Sequence, residues 1–344
     1  MPDLLVRRGD LASCKVVEGE PQRNDLGDGE AQLRVERLAL TTNNITYAVY
    51  GDRLGYWKLF PAPEGWGRIP AWGYARVIGS RSPELPEGAR FFGIVPIGRH
   101  LSVRPAPQPP GFADASPHRA ELSPVYNAYR PVDGPGDDAE LIMRPLYGTA
   151  VVLDLALAER GLDGVEAVVL TSASSKTAYG LAHLLRGRPV RTVGLTSASR
   201  RGWVEELELY DEVLAYDDAG DLRASGGAVL VDFAGDAALV RALHEQLAGA
   251  LARSILVGFT HRGQEAGAAP PAGPEVEFFF APHEIARRGR EFGQRYAEAW
   301  RDFAPVAKRA LRVERITDAD ELVRVYRDLH GGRADPAAGY VVAL

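Results

Sequence analysis

The stretch from position 165 to 258 changes repeatedly between short apolar runs and segments with helical periodicity. Apolar residues three and four positions apart are typical of a helix that buries one face, and short apolar runs between turn residues are typical of buried strands. Strands that alternate with helices are joined by right-handed crossovers and form a parallel sheet with helices on both faces. The predicted strands are 167–170, 190–195, 212–215, 229–231 and 255–258, and the predicted helices are 177–185, 203–209 and 237–247. The sequence therefore predicts a doubly wound α/β domain.

The residues before this domain predict a different fold. Leu33 and Val35 alternate with polar neighbours, as in a half-exposed β-strand. Further apolar runs bounded by turn residues lie at 74–78, 91–96 and 101–103. Prolines and glycines cluster over 106–138, where we expect irregular connecting structure. Near the other end of the chain, the pattern over 284–303 predicts one long helix.

These patterns divide the chain into three predicted segments. A β domain is expected over 1–140, a nucleotide-binding domain over 141–275, and a C-terminal segment over 276–344 that completes the sheet and returns to the first domain.

Charge and cysteine content exclude several classes of protein. Lys and Arg number 40 against 46 Asp and Glu, which gives a net charge of −6 and does not suggest a nucleic-acid partner. The single cysteine, Cys14, excludes an intramolecular disulfide and fits a reducing compartment. The N-terminus lacks the apolar core of a signal peptide, and the runs at 167–170 and 228–231 are too short to span a bilayer. We therefore expect a cytoplasmic protein with neither a membrane nor a nucleic acid as partner.

The first strand–helix unit of the α/β domain carries the strongest functional signal. Its sequence, VVLTSASSKTAYGLAHLL, places small hydroxylated residues between the strand and the helix. Such a turn brings the N–H groups of a helix N-terminus to the carboxyl edge of the sheet, where phosphates bind. The hydroxyls within 172–177 add donors, and Lys176 adds a positive charge. This pattern predicts an anion site.

The glycines that usually shape such a turn are missing, which leaves other interpretations open. A P-loop also contains Lys-Thr, but it needs a glycine-rich loop before the lysine, and 171–175 reads TSASS. Alternatively, the hydroxyls only cap the helix N-terminus.

The end of the second strand predicts which dinucleotide binds. An acidic residue there would select the ribose of NAD, but this chain has Thr196 and Ser197 followed by Arg200 and Arg201. A guanidinium pairs with phosphate through two hydrogen bonds, so these residues favour the 2′-phosphate of NADP(H). The alternative is that both arginines belong to a solvated helix start.

Six segments, spread over nearly the whole chain, carry a resemblance to a known family. They are LRVERLALTTNNITYAVY at 33–50, IPAWGYARV at 69–77, LPEGARFFG at 85–93, RPLYGTA at 144–150, YDEVLAYD at 210–217, and ITDADELVRVYRDLHGGRADPAAGYVVAL at the end. In this order they resemble the medium-chain dehydrogenase/reductases, especially the zinc-free quinone oxidoreductase-like members. The resemblance implies a GroES-like β domain joined to a Rossmann domain. It is strongest to a branch with the same SASSKT and TTNNITY segments.

The chain departs from the superfamily pattern at the positions that bind metal. The catalytic-zinc Cys and His positions are absent, and Trp72 stands near the usual histidine. The structural-zinc lobe with its four cysteines is missing as well. We therefore expect no metal site.

The resemblance also implies site residues. The segment 38–50 would line the substrate site, where Asn44 could orient a substrate oxygen and Tyr47 or Tyr50 could donate a proton. The alternative is that the tyrosines are core or rim aromatics and that Asn43 and Asn44 only serve a turn. The expected cofactor-binding residues are Thr149, Ser172, Ala173, Ser174, Ser175, Lys176, Thr177, Ser197, Arg200, Tyr216, Gly258 and Phe259.

Two functional hypotheses follow. The first is a zinc-independent, NADP(H)-dependent reductase of a small carbonyl, enone or quinone-like substrate. The second is a non-catalytic nucleotide- or ligand-binding protein that kept the dehydrogenase fold, which the missing glycines and zinc ligands motivate. The expected partner is a small-molecule substrate, and a homodimer is retained as an option.

Overall fold

The computed structural model describes residues 3–19, 21–257 and 272–344. The strands are β1 (Asp3–Arg7), β2 (Asp10–Val17), β3 (Ala31–Leu40), β4 (Trp66–Arg68), β5 (Pro70–Ser80), β6 (Arg90–Pro96), β7 (His100–Val103), β8 (Pro105–Gln108), β9 (Gly111–Asp114), β10 (Ala128–Pro131), β11 (Val165–Leu170), β12 (Arg191–Thr196), β13 (Glu212–Ala215), β14 (Gly227–Asp232), β15 (Leu251–Leu256), β16 (Val276–Phe278), β17 (Arg312–Ile316) and β18 (Ala338–Ala343). The α-helices are α1 (Thr42–Val49), α2 (Pro124–Asn127), α3 (Asp138–Arg160), α4 (Lys176–Leu185), α5 (Arg201–Glu206), α6 (Ala237–Leu247), α7 (Ala281–Arg288), α8 (Arg290–Ala310) and α9 (Ala319–His330).

The chain folds into two compact units. The first comprises Met1–Ile142 and Leu311–Leu344, and the second comprises Met143–Ala310. Residues 276–310, which the sequence analysis grouped with the C-terminal segment, therefore lie in the second unit. We call the first the β unit and the second the nucleotide unit.

The β unit is built on two sheets. The smaller sheet has the order β2-β1-β4, and the larger has the order β17-β18-β3-β5-β6-β10-β9-β8, with β7 paired to β3. Alternate residues of β3 and β5 face one core, which also buries residues of α1 and α9. This core also includes Trp57, Leu59 and Phe60, which precede β4.

The expectation of irregular structure over 106–138 is wrong in part. This region contains β8, β9, β10 and α2. Strand β8 ends the sheet order, and its sequence PAPQ carries prolines at alternate positions. An edge strand tolerates proline because one side of its backbone pairs with no neighbour, which the proline count alone did not reveal.

The nucleotide unit contains a six-stranded parallel sheet in the order β13-β12-β11-β14-β15-β16. Counted from β11, this is the 3-2-1-4-5-6 order of a Rossmann fold. The central residues 167–170 and 228–231 are completely buried, as expected for strands covered on both faces. The predicted doubly wound fold is confirmed.

The order of the sheet also locates the place where ligands bind in such folds. The crossover direction reverses between β11 and β14, and a crevice opens at the carboxyl ends of strands on either side of such a switch point. The segment after Leu170 and the segment after Asp232 therefore flank this position.

The helix predicted over 284–303 differs from the structure. The predicted single helix over 284–303 is two helices, α7 and α8, separated at Gly289, where φ is 48°. A left-handed glycine ends a helix, which accounts for the break.

Helix α3 is long and apolar enough by composition to cross a membrane, but 72% of its most apolar window is buried inside the protein, as in a core helix.

Candidate functional site

The turn after β11 adopts a tight conformation without glycine. Ser172 has a φ of 50°, in the left-handed region that glycine normally occupies in such turns. The Ser175 N–H donates to the Ser172 carbonyl over 2.7 Å, which closes the turn. Ser172, Ala173 and Ser174 are all buried, so the backbone here is closely packed.

Two tyrosine hydroxyls outside the turn bind its backbone. The Ser172 N–H donates to the Tyr216 hydroxyl over 3.1 Å, and the Tyr210 hydroxyl donates to the Ala173 carbonyl over 2.8 Å. The Ala173 N–H donates to the Leu195 carbonyl of β12 over 2.9 Å. The turn is thus attached to β12 and to both ends of β13.

The strand ends at the switch point are joined by buried side chains. The Thr171 hydroxyl donates to the Asp232 carboxylate over 2.5 Å, and it accepts the N–H groups of Phe233 and Ala234 at 2.9 and 3.1 Å. Asp232 also accepts from the N–H groups of Ala234 and Gly235. Burial raises the pKa of Asp232 despite these hydrogen bonds.

The start of α4 presents the more accessible part of the turn. Ser175 is the N-cap, and its hydroxyl accepts from the Ala178 N–H over 3.4 Å. The capping interpretation therefore holds for this one hydroxyl. Lys176 and Thr177 follow in the first helical turn and are half-buried, and the N–H groups of a first helical turn point out of the helix end. The partial positive charge of the helix end adds to that of Lys176.

The predicted 2′-phosphate residues lie at the neighbouring strand ends. Ser197 and Arg200 follow β12 and are half-buried, and Arg200 lies close enough to Tyr216 to lower the pKa that burial raises. Arg201 is exposed and pairs with Glu205 at 2.8 Å and with Asp218 at 3.5 Å. The two arginines therefore differ in exposure and in the side chains near them.

The remaining predicted cofactor residues are placed differently. Thr149 is half-buried in α3, and its hydroxyl donates to the Pro145 carbonyl over 3.2 Å. Gly258 and Phe259 lie outside the described residues.

In the β unit, Asn44 serves the N-terminus of α1. Its side-chain oxygen accepts from the Thr41 N–H over 2.7 Å, and its amide donates to the Pro70 carbonyl over 2.9 Å. Thr41 in turn caps the helix by accepting from the Asn43 N–H. Asn44 is buried, and its contacts are those of a capping residue.

Tyr47 lies in a buried aromatic cluster with Tyr56, Tyr126 and Trp72. The Trp72 indole N–H donates to the Tyr47 hydroxyl over 2.9 Å, and the Tyr56 and Tyr126 hydroxyls hydrogen-bond each other over 2.9 Å. The rings of Tyr47 and Tyr56 meet edge-on with centroids 4.8 Å apart. Burial raises the pKa of all three phenols, so they stay protonated at neutral pH. We call these four residues the tyrosine cluster.

Tyr50, the third predicted catalytic residue, is the C-cap of α1 and is only half-buried. Burial raises its pKa, and Arg53 opposes this rise. The structure thus places Asn44, Tyr47 and Tyr50 along one short helix but gives them different surroundings.

Sequence reasoning missed three residues of these sites. Tyr126 lies within 106–138, the proline-rich region that was expected to be irregular, and Tyr210 stands before β13, far in sequence from the turn that it binds. Asp232 had a usable signal, since it is a carboxylate directly after a buried apolar run.

Comparison with known proteins adds a family. Residues 38–335 match the sequence model of the family described as "Protein of unknown function (DUF2855)". A comparison with curated proteins gave no match.

Several solved structures have the same fold at low sequence identity. Mycobacterial Rv1454c complexed with NADPH is 16% identical with a TM-score of 0.64, and the alignment covers 100% of both chains. The yhdH oxidoreductase from Salmonella enterica in complex with NADP is 14% identical with a TM-score of 0.60, again over 100% of both chains. A mutant form of enoyl thioester reductase from Candida tropicalis is 10% identical with a TM-score of 0.61 over 99% of both chains. The expected GroES-like plus Rossmann fold of the medium-chain dehydrogenase/reductases is confirmed by these similarities.

Proposed function

This chain belongs to the DUF2855 family, and we propose that it is a zinc-independent, NADP(H)-dependent reductase of a small carbonyl, enone or quinone-like substrate. The observation that carries the proposal is the tightly held turn after β11, which lies at the switch point of a Rossmann sheet and leads into α4.

The turn fits a dinucleotide pyrophosphate. Ala173 and Ser174 are small and buried, so no bulky side chain stands between the backbone and a ligand at the helix start. Lys176 and Thr177 would bind the phosphates through their N–H groups, with the lysine charge and the threonine hydroxyl as further contacts. Two structures of the same fold contain NADPH and NADP, which supports this choice of ligand.

Arg200 would select NADP(H) over NAD(H). It follows β12 beside Tyr216, at the strand end where an NAD-specific protein would carry a carboxylate. Arg200 is half-buried near Tyr216 whereas Arg201 is exposed, so we assign the 2′-phosphate to Arg200. Ser197 would add a hydroxyl donor at the same strand end.

For the reduction itself, bound NADPH would supply a hydride to the substrate. We assign the proton to Tyr47 or Tyr50. Tyr47 accepts a hydrogen bond from Trp72, so the proton of its hydroxyl can be donated elsewhere, and its raised pKa keeps that proton in place at neutral pH. Tyr50 is the more accessible of the two. Asn44 is better explained as a helix cap than as a substrate-orienting residue.

The test is a titration of the purified protein with NADPH and with NADH, followed by nicotinamide fluorescence. We expect saturable binding of NADPH with clear preference over NADH. A panel of enones, quinones and aldehydes, followed by loss of nicotinamide absorbance, then identifies the substrate class. Absence of NADPH binding at about millimolar concentration, a free energy near −4 kcal/mol, would contradict the proposal.

A non-catalytic NADP(H)-binding protein is the second candidate. It is favoured by the hydrogen bonds of Asn44 within the α1 cap and by the burial of Tyr47 in the tyrosine cluster. This candidate predicts that NADPH binds but is not oxidised by any member of the panel. A turnover that disappears in the Tyr47→Phe or Tyr50→Phe variant would exclude it.

A further inference from the structure

We propose that the hydroxyl groups of Tyr210 and Tyr216 are positioning groups that hold the glycine-free turn in its phosphate-binding conformation. This role rests on the proposed function, because the turn concerned is the one assigned to the phosphates of NADP(H). The two tyrosines would do by hydrogen bonding what a glycine does by conformational freedom in the usual fingerprint.

The turn needs such support at Ser172. With a φ of 50°, this residue holds a left-handed conformation that its β-carbon makes unfavourable. A non-glycine residue keeps this conformation only where its surroundings determine it. Without outside contacts, Ser172 would relax and the backbone of the turn would change.

Three consecutive peptide groups of the turn are each fixed by a hydrogen bond to a group outside it. The N–H of Ser172 donates to Tyr216, the N–H of Ala173 donates to Leu195, and the carbonyl of Ala173 accepts from Tyr210. Rotation of any of these peptide planes would break one bond. The peptide groups before and after Ser172, and before and after Ala173, are therefore held in place, which fixes the dihedral angles of both residues. Two of the three hydrogen-bond partners are phenols.

The Tyr210 side chain lies against a glycine of the neighbouring strand β12. Its ring passes Gly194 of β12, where a β-carbon would lie 2.8 Å from the ring and 2.9 Å from the Ala173 side chain. Gly194 thus leaves room for the Tyr210 ring beside the turn. Burial raises the pKa of both phenols, so Tyr210 keeps the proton that it donates to Ala173.

The test compares four proteins: wild type, Tyr216→Phe, Ser172→Gly, and the double variant. Phenylalanine keeps the ring contacts and removes only the hydroxyl. We expect Tyr216→Phe to raise the Kd for NADPH about 3- to 10-fold, the range for one hydrogen bond. Ser172→Gly, in which glycine adopts the left-handed conformation unaided, provides the reference Kd for its own background. In the glycine background the tyrosine substitution should then cost no more than about twofold.

Tyr210→Phe should weaken NADPH binding to a similar degree, and Tyr179→Phe is the matched control. The Tyr179 hydroxyl is also buried in this unit but donates to the sulfur of Met143 over 3.4 Å. Its loss should leave the Kd unchanged, whatever it does to stability. An equal loss of affinity on Tyr216→Phe with and without Ser172→Gly would overturn the proposal, because the hydroxyl would then act other than through Ser172.

A second measurement separates this proposal from the proposed function. Hydrogen exchange of the peptide covering 171–178 reports the turn without any cofactor. Protection of the amides that follow residue 172 should fall in Tyr216→Phe and return in the double variant, whereas the amide of residue 172 loses its acceptor in both. Wild-type protein that fails to bind NADPH but shows this pattern would refute the proposed function and support the tyrosine role. Unchanged protection in Tyr216→Phe would overturn the tyrosine role regardless of NADPH binding.

Discussion

The Thr171 hydroxyl and the Asp232 carboxylate form a 2.5 Å hydrogen bond between the ends of β11 and β14. Both side chains are buried, and Asp232 also accepts the N–H groups of Ala234 and Gly235. One carboxylate therefore organises the segments on both sides of the switch point. The turn between β11 and α4 begins at Thr171, so its first residue is held by this arrangement.

Removal of the Thr171 hydroxyl should destabilise the nucleotide unit. Thr171→Val would leave a buried carboxylate oxygen and two backbone N–H groups without this partner, so we expect a loss of about 1–3 kcal/mol. Thr171→Ser keeps the hydroxyl and is the matched control, with a smaller loss. Urea unfolding of the two variants checks the difference, and equal losses would mean that the methyl group matters more than the hydrogen bond.

The stability contributed by Asp232 should depend on pH in a defined direction. Burial raises the pKa of this carboxyl above its ordinary value, so the folded state binds the proton more tightly than the unfolded chain does. The ionised carboxylate therefore costs stability at neutral pH, and the cost is relieved as the pH falls through the folded pKa. Asp232→Asn does not titrate at this position. The free energy of unfolding of wild type should thus improve relative to the variant between about pH 7 and about pH 4. A difference that is constant or shrinks on acidification would contradict this.

Gly194→Ala should disturb the turn from the neighbouring strand. The new methyl group would lie within 2.8 Å of the Tyr210 ring and 2.9 Å of the Ala173 side chain, so one of them must move. We expect a loss of about 1–3 kcal/mol in stability, as for overpacking of a core, together with weaker NADPH binding. Gly202→Ala in α5 is the control, because no atom lies within 4 Å of its added carbon, and it should be neutral or stabilising. Thermal unfolding and NADPH titration of both variants provide the measurement.

Arg200 and Arg201 should differ in their effect on cofactor choice. Arg200→Gln should weaken NADPH binding about 10- to 100-fold, the range for a hydrogen-bonded charge, with little change for NADH, which lacks the 2′-phosphate. Arg201→Gln removes a neighbouring charge that pairs with Glu205 and Asp218, and its effect on NADPH should be within about threefold. Parallel titrations with both nucleotides distinguish these outcomes. A loss of NADH binding equal to that of NADPH would exclude a 2′-phosphate contact.

Asn44 and Tyr47 should respond differently to substitution. Asn44→Ala removes the hydrogen bond that Asn44 accepts from the Thr41 N–H in the α1 capping box, and the one that it donates to the Pro70 carbonyl, so it should cost about 1–3 kcal/mol of stability. Tyr47→Phe removes only the hydroxyl; if Tyr47 donates the proton, turnover should fall about 100-fold or more with a small change in unfolding temperature. Unfolding and turnover measured on both variants separate the roles. A fully active, stable Asn44→Ala would contradict the capping assignment.

The sequence predicted the nucleotide unit well because its signals are local. An apolar run such as 167–170 is typical of a strand that is buried on both faces. The helical stretch that follows it forms the crossover to the next parallel strand. The small hydroxylated residues between them indicated the turn, and Ser175 accepts from the Ala178 N–H as the alternative capping interpretation has it. The number of prolines over 106–138 gave a prediction that is wrong in part, because proline is also tolerated in an edge strand. Which strand lies at the edge depends on how the strands pair, and composition does not show this.

The amino-acid sequence by itself determined the class of fold, the position of the turn, and the absence of glycine from it. Only the tertiary structure decided how that turn is held and which of the two arginines is half-buried near Tyr216. The hydrogen bonds of Ala173 with Tyr210 and of Ser172 with Tyr216 join positions 37 and 44 residues apart, and the ion pair of Arg201 with Asp218 spans 17 residues. Periodicity reports only which face of an element is buried, whereas such bonds exist only after strands pair and bring distant side chains together.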